Sequence, residues 1–142
     1  MNRDQTMRLA LRTSTFLNFG AALLFAFPSS LGQLMGLPTP VASFYSVFLA
    51  FLIALFGATY GWLARQPVID RPLVVFSSIG KTGFVVISFF CWLLGEVPLR
   101  TVVLANGDLA FVAIFVWWLL GETEPGTAAV GPAVASRGQG RA

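Results

Sequence analysis

The chain has 142 residues, of which 56% are hydrophobic and only 11% are charged, and its mean hydropathy is +0.79. A soluble domain carries roughly 25% charged residues, so this composition excludes an ordinary water-soluble globule and indicates an integral membrane protein. The net charge of +3 comes mainly from arginines at segment ends, without a dense basic run, which argues against a nucleic-acid partner.

Four segments are long and apolar enough to cross a bilayer, which takes about 20 apolar residues. They span residues 9–27, 41–64, 73–94 and 101–120, and they define an all-α transmembrane domain over residues 1–121. The first segment has the basic start of a signal peptide but no convincing cleavage site after it, so we expect it to be retained. Residues 122–142 are rich in Gly, Ala, Pro and Ser, which predicts a disordered cytoplasmic tail.

The first loop, PSSLGQLMGLPTP, carries no charge. Ser30 and Gln33 fit the S-x-x-Q pattern of a capping box, and the apolar residues between and after them share one helical face. Gly36 is expected to end the turn in the left-handed conformation, and Pro38 prevents its continuation. The loop therefore predicts a short helix in the outer interface, with an irregular loop as the alternative.

The remaining loops are short, which forces neighbouring helices to run antiparallel and predicts an up-down four-helix bundle. With four spans, both termini and the second loop lie on one side, and the other side holds only Arg100. The positive-inside rule therefore places both termini in the cytoplasm. The basic residues on that side are Arg3, Arg8, Arg12, Arg65, Arg71, Arg137 and Arg141.

A seam of small residues runs along the second helix at spacings of four, three and four, formed by Ala50, Ala54, Gly57 and Gly61. In lipid there is little hydrophobic drive between helices, and small residues let two backbones approach closely. The seam is expected either to pack within the bundle or to form a homo-oligomer. The lipid bilayer is the main partner, and a membrane-protein partner is the other candidate.

Two opposite charges interrupt the third and fourth segments. Lys81 lies about eight residues, or roughly 12 Å, from the cytoplasmic start of helix three, and Asp108 lies about seven residues, or roughly 10 Å, from the outer start of helix four. In a core about 30 Å thick their depths differ by roughly 8 Å, most of which a lysine side chain spans. Each charge costs about 2.5–3.5 kcal/mol at a helix centre, so both are expected to face the bundle interior and to pair.

Other polar side chains are expected near this pair. Ser77 lies one turn before the lysine, and Asn18 lies about nine residues into the first helix at a similar depth. Asn106 would point roughly 160° away from Asp108 on a regular helix, but the sequence Asn-Gly-Asp favours a turn. A kink at Gly107 would bring both side chains inward, which predicts a polar pocket between helices one, three and four.

The chain has no histidine and one cysteine, Cys91, which excludes an intramolecular disulfide and the usual zinc and haem sites. No metal site and no cofactor is predicted. Cys91 is interpreted as a small hydrophobic side chain, with a reactive or lipidated thiol as the alternative.

Three stretches carry a resemblance to a known group of proteins: LNFGAALLFAFPSSLGQLMGLPTP, ATYGWLARQPVIDRPLVVFSSIGKTGF and LANGDLAFVAIFVWWL. They resemble small bacterial four-span membrane proteins of uncharacterised function, which are broadly similar to DoxX-like proteins. The matching positions include an Asn–Gly pair at Asn18, the Gly-Lys at Lys81, and Asn106 with Asp108; Gly107, inserted between these last two, departs from the pattern. The resemblance implies a bacterial inner membrane and, more loosely, a link to quinone-dependent redox enzymes.

Three functions remain open for this sequence. The first is a small inner-membrane protein whose polar pocket at Lys81 and Asp108 binds a small or lipid-like molecule or handles protons. The second is a non-catalytic accessory subunit of a larger membrane complex, a redox complex among the candidates. The third is an enzyme acting on a lipid-soluble substrate, against which the lack of histidine and of a second intramembrane carboxylate argues. A purely structural clasp between the two charges, or a lysine that reaches the interface unpaired, are the alternatives to a site.

Overall fold

A computed structural model describes residues 2–121, and this part of the chain is all-helical, without strands. Its four long helices are α1 (Arg3–Ala26), α2 (Ser43–Leu63), α3 (Arg71–Leu93) and α4 (Leu99–Leu119). Each is long and apolar enough to cross a membrane, which agrees with the four predicted spans. The predicted tail at 122–142 lies outside the described residues.

Capping residues set where two of the helices begin. The Asn2 side chain accepts a hydrogen bond from the Gln5 backbone N–H, and the Gln5 side chain accepts one from the Asn2 N–H. This capping box lets α1 begin at Arg3, well before the apolar stretch at 9–27. The carboxylate of Asp70 caps α3 in the same way, by accepting from the Leu73 N–H. The helices therefore extend beyond their apolar portions.

The first loop contains a π-helical turn over Pro28–Gly32 and ends at Gly36, which adopts a φ of +77°. Left-handed Gly36 is where the sequence predicted the turn to end. The predicted capping box is not formed, because the turn has already begun at Pro28 and Ser30 lies inside it, where its hydroxyl donates to the Phe27 carbonyl. The loop is anchored to the start of α4, since Thr101 Oγ1 donates to the Met35 carbonyl at 3.1 Å.

The helices pack mainly as two pairs, α1 with α2 and α3 with α4, and α1 also contacts α4. The buried core lies at the end of the bundle where α1 and α3 begin and α2 and α4 finish. Its largest fully buried side chains are Tyr60, Phe115, Met7, Leu11, Leu63 and Val74. Many large apolar side chains elsewhere are exposed, which a helix with a lipid-facing side requires.

Arginines close this same end of the bundle by donating to helix carbonyls. Arg8 donates to the carbonyls of Ala64, Gln66 and Pro67, at 3.0, 2.6 and 2.9 Å, and so ties α1 to the turn between α2 and α3. The carbonyls at the end of α4 accept from Arg3 and Arg71. Neither α2 nor α4 has a basic residue in its own last turn, so these guanidinium groups supply the favourable charge at the ends of these two helices from elsewhere in the chain.

Candidate functional site

The centre of the candidate site is an ion pair between α3 and α4. Lys81 Nζ lies 2.5 Å from Asp108 Oδ1. The lysine side chain is 5% exposed and the aspartate side chain is 27% exposed, so the two charges are not equally enclosed. Among residues 2–121, Asp108 Oδ2 accepts no hydrogen bond, which leaves one carboxylate oxygen open.

The pair lies near the middle of both helices. Lys81 comes ten residues after Arg71, or about 15 Å along α3, and Asp108 comes nine residues after Leu99, or about 14 Å along α4. Because the two helices run in opposite directions and have similar lengths, these positions fall at nearly the same level. The small offset is why the ammonium reaches the carboxylate directly.

Two aromatic rings flank the ammonium group. The Lys81 Nζ lies 5.4 Å from the ring centroid of Tyr60 on α2 and 5.2 Å from that of Phe111 on α4. Both distances fit cation–π contacts, which strengthen when the cation is desolvated. Tyr60 is only 2% exposed, so its ring closes the inner side of the pair.

A serine side chain adjoins the ion pair on the side toward the buried core. The Ser77 hydroxyl lies one helical turn from Lys81 on the buried face of α3. Ser77 Oγ also donates to the Leu73 carbonyl at 2.7 Å, one turn back along α3. Ser77 therefore lies where the sequence predicted it, one helical turn from the lysine and on the buried face of α3.

Asn18 lies in the contact between α1 and α2. Its amide donates to the Ile53 carbonyl at 3.4 Å, and its Cβ is 3.1 Å from where a Cβ on Gly57 would be. Asn18 therefore serves the packing of these two helices, and no contact links it to the ion pair among the described residues. The predicted grouping of Asn18 with Lys81 is not what the structure has.

Asn106 also lies apart from the pair. α4 is a continuous helix through Gly107, and a Cβ added there would meet no atom within 4 Å. The turn expected at Gly107 is therefore not formed, and Asn106 is exposed while Asp108 pairs with Lys81 on α3. An isolated glycine lowers helix propensity, but the helical hydrogen bonds on both sides hold it in the α conformation.

The small-residue seam of α2 faces α1. Ala50 and Gly57 are buried, and a Cβ added to Gly61 would lie 3.3 Å from the Thr15 side chain. Ala54 is half-buried between them. The seam is therefore used for close approach of two helices within one chain.

Two residues of the site were not found by the sequence reasoning. Tyr60 and Phe111 line the ammonium, although nothing in their local sequence separates them from other aromatic residues of apolar helices. Phe111 comes three residues after Asp108, which puts it on the same side of α4, and this spacing is the one available signal. The position of Tyr60 along the bundle relative to Lys81 depends on how α2 packs in the bundle. The sequence does not define that packing.

A groove of about 400 Å³ runs between α3 and α4 beside the pair. It is lined mostly by apolar atoms, from Ser78, Ile79, Thr82, Gly83, Val86, Val112 and Val116. Neither Lys81 nor Asp108 lines this groove, although Thr82 follows Lys81 directly on α3 and Val112 comes one turn after Asp108 on α4. A second groove, of about 290 Å³, lies at the other end of the bundle between Phe27, Ser30 and Ser46.

Among residues 2–121 no group of three or more acidic or cysteine side chains is placed to hold a metal ion. Comparison of the chain with protein-family models, with curated proteins and with solved structures finds no match.

Proposed function

We propose that this chain is a multi-pass protein of the bacterial inner membrane that binds a small lipid-soluble molecule at Lys81 and Asp108. The observation that carries the proposal is the open Oδ2 of Asp108, held beside a buried lysine at mid-helix. An acceptor at this depth is free to receive a hydrogen bond from a hydroxyl or N–H group of the ligand. The apolar groove between α3 and α4 accommodates the rest of the molecule.

The placement in the membrane is supported by hydropathy and by charge. Each of the four long helices has a mean hydropathy between 1.3 and 1.9 over its most apolar window. Arg3, Arg8, Arg65 and Arg71 lie at one end of the bundle and Arg100 at the other, with Arg12 farther along α1, which favours the cytoplasm for the first end. Both termini then lie in the cytoplasm.

The asymmetry of the pair favours binding over a purely structural clasp. Two charges at mid-membrane each cost about 2.5–3.5 kcal/mol on insertion scales, and hydrophobic side chains would join the same helices without that cost. Asp108 is bonded through one oxygen and is 27% exposed, so its second oxygen keeps a hydrogen-bond acceptor that a fully enclosed clasp would not leave unused. This unbonded oxygen and the nearby apolar groove are the features that a ligand would use.

Proton handling at the same site is the second candidate, and the position of Tyr60 favours it. Its ring lies 5.4 Å from Lys81 Nζ, so another titratable side chain lies beside the ion pair. Reconstituted liposomes carrying a pH-sensitive dye would then show proton flux that is lost in Asp108→Asn and retained in Ser88→Ala. An accessory role has weaker support, since the α2 seam is occupied by α1.

The binding proposal is tested by what the full chain retains on purification from bacterial membranes in mild detergent. We expect mass spectrometry of an organic extract to find a lipid-soluble species enriched over the bulk membrane extract. Gly83→Leu fills the groove without a clash, because Gly83 has no atom within 4 Å, and it should lower the retained amount about tenfold. The double variant Lys81→Met/Asp108→Leu should do the same.

Gly20→Leu is the matched control, because Gly20 also has no neighbouring atom within 4 Å and lies on α1, away from the groove. It should retain the species as the native chain does. The proposal is wrong if no species is enriched, or if the enriched species persists in both Gly83→Leu and the double variant.

A further inference from the structure

The side of α4 that points away from the core carries exposed residues at a regular helical spacing. Its residues recur at spacings of four, three, four, three and four, and all six are exposed: Leu99, Val103, Asn106, Ala110, Ala113 and Trp117. The opposite side of the same helix is buried through Thr101, Ala105 and Phe115. A 3.5-residue repeat on a helix face is the pattern of a left-handed helix pair, not only of contact with lipid.

Asn106 is the feature of this face that lipid does not satisfy. Its side chain is exposed and makes no hydrogen bond within residues 2–121. It comes seven residues after Leu99, or about 10 Å along α4, which lies inside the hydrocarbon core in the membrane placement proposed above. An amide without a hydrogen-bonding partner is costly there, so a partner for it is expected.

We propose that this face is a homodimer interface, in which α4 of one copy pairs in parallel with α4 of a second copy and the two Asn106 amides hydrogen-bond to each other. The proposal rests on the membrane placement but not on a ligand at Lys81. All copies insert with the same orientation, so a two-fold axis along the membrane normal makes the two helices parallel and places Asn106 opposite itself.

The chemistry of the face fits a second copy. An asparagine amide carries donors and an acceptor, so two copies of it can hydrogen-bond to each other. A face made only of apolar side chains has no such complementarity. The side chains that follow it on the face, Ala110 and Ala113, are small and let two backbones approach closely. A single asparagine in an otherwise apolar seam is also a known device for selecting the dimer and its register.

The face is distinct from the small-residue seam of α2. That seam is covered by α1, with Gly57 against Asn18, so it is closed to a second copy. The α4 face lies on the opposite side of its helix from the core, and the Arg3 guanidinium lies over the ring of Trp117 at one end of this face. The dimer therefore forms without rearranging the bundle.

The test uses the full chain with Cys91→Ser, reconstituted in phosphatidylethanolamine/phosphatidylglycerol liposomes. Ala110→Cys should give an oxidised dimer, while Ile87→Cys, on the exposed side of α3 and 63% exposed, should not. In a cysteine-free chain, Asn106→Leu should weaken dimerisation about 5–30-fold in a dilution series, the range expected for an interhelical hydrogen bond in a membrane. Thermal unfolding of the Asn106→Leu monomer should match the native chain, because Asn106 contacts no other element.

Equal cross-linking at Ile87→Cys, a dimer unaffected by Asn106→Leu, or a monomer at every protein-to-lipid ratio would each overturn the proposal. Capture of a different membrane protein on this face, with no self-association, would also overturn it. Ala113→Leu offers an independent variant, since a larger side chain holds the two helices apart and should reduce the cross-link at Ala110→Cys without changing the fold.

Discussion

At the scale of single residues, the two charged side chains of the ion pair differ in how strongly each needs its partner for stability. Lys81 is almost fully enclosed between Tyr60 and Phe111, whereas Asp108 keeps one oxygen open. Removing the carboxylate leaves an ammonium group in an apolar interior without a counter-charge. Removing the lysine leaves a carboxylate that is less enclosed by the protein, at 27% exposed. The structure thus makes the lysine the more dependent partner.

A double-mutant cycle should show this dependence as an unequal loss of stability. We expect Asp108→Leu to lower the free energy of unfolding by about 3 kcal/mol and Lys81→Met by about 2 kcal/mol, with most of the loss recovered in the double variant. Thermal unfolding in mild detergent measures all four chains. Simple additivity of the two losses would contradict a direct coupling, and the site would then be held by other contacts.

Gly36 is a second residue with a specific conformational requirement. Its φ is +77°, and a Cβ there would lie 2.5 Å from Arg100 Nε and from Pro98 Cγ. Gly36→Ala should therefore cost about 2–4 kcal/mol, from left-handed strain and from the clash together. Gly95 has the same φ of +77° but no atom within 4 Å, so Gly95→Ala is the control for strain alone, at about 1–2 kcal/mol. Equal losses of stability in the two variants would show that the loop at Gly36 shifts to admit a Cβ with no added loss of stability.

At the scale of helices, α1 and α2 share the most extensive contact of the bundle, and glycines on α2 allow their backbones to come close. A Cβ on Gly57 would lie 3.1 Å from the Asn18 Cβ and 3.3 Å from the Thr15 carbonyl oxygen. The backbone oxygen cannot rotate away as a side chain can. The two helices must therefore separate slightly to admit even a methyl group.

Gly57→Ala should accordingly destabilise the chain by about 1–2 kcal/mol, despite the better helix propensity of alanine. Gly20→Ala, on α1 with open space around it, should instead stabilise the chain by about 0.5–1 kcal/mol. Chemical or thermal unfolding of both variants in one detergent provides the comparison. A gain in stability at both positions would mean that α1 and α2 are not in the contact described.

At the scale of the whole molecule, one end of the bundle is joined by contacts between distant parts of the chain. Trp118 Nε1 donates to Asp4 Oδ1 at 2.8 Å, and the Arg3 guanidinium lies 4.6 Å from the centroid of the Trp117 ring. Together with Arg8 on the α2–α3 turn, these contacts link the start of α1 to the ends of α2 and α4. Arginines from which the membrane orientation is predicted therefore also close this end of the bundle.

The orientation itself is testable with cysteines placed on the two sides. In a Cys91→Ser chain, an impermeant maleimide added to intact spheroplasts should label Thr39→Cys, in the first loop, and should not label Val68→Cys. Val68 is 80% exposed on the α2–α3 turn, so both positions should react once the membrane is opened. Labelling of Val68→Cys before permeabilisation would place the arginine-rich end outside the cell.

Much of the fold was predictable because the hydropathy and the length of a segment are properties of consecutive residues. Each of the four apolar stretches is close to one helix, since a segment of about 20 apolar residues has few other stable forms in lipid. The left-handed Gly36 was also predictable, because its conformation depends on residues directly beside it. The ends of α1 were less so, since Asn2 and Gln5 extend the helix through polar residues that hydropathy does not register.

The sequence by itself determined the four helices and the two charges within α3 and α4, because both follow from the local cost of polar groups among apolar ones. Only the tertiary structure decided which side chains surround those charges, and it put Tyr60 and Phe111 beside Lys81 while Asn18 and Asn106 lie elsewhere. The rotation and relative depth of packed helices decide such neighbours. This rotation and depth arise from contacts between segments far apart in the chain, and no local sequence pattern encodes those contacts.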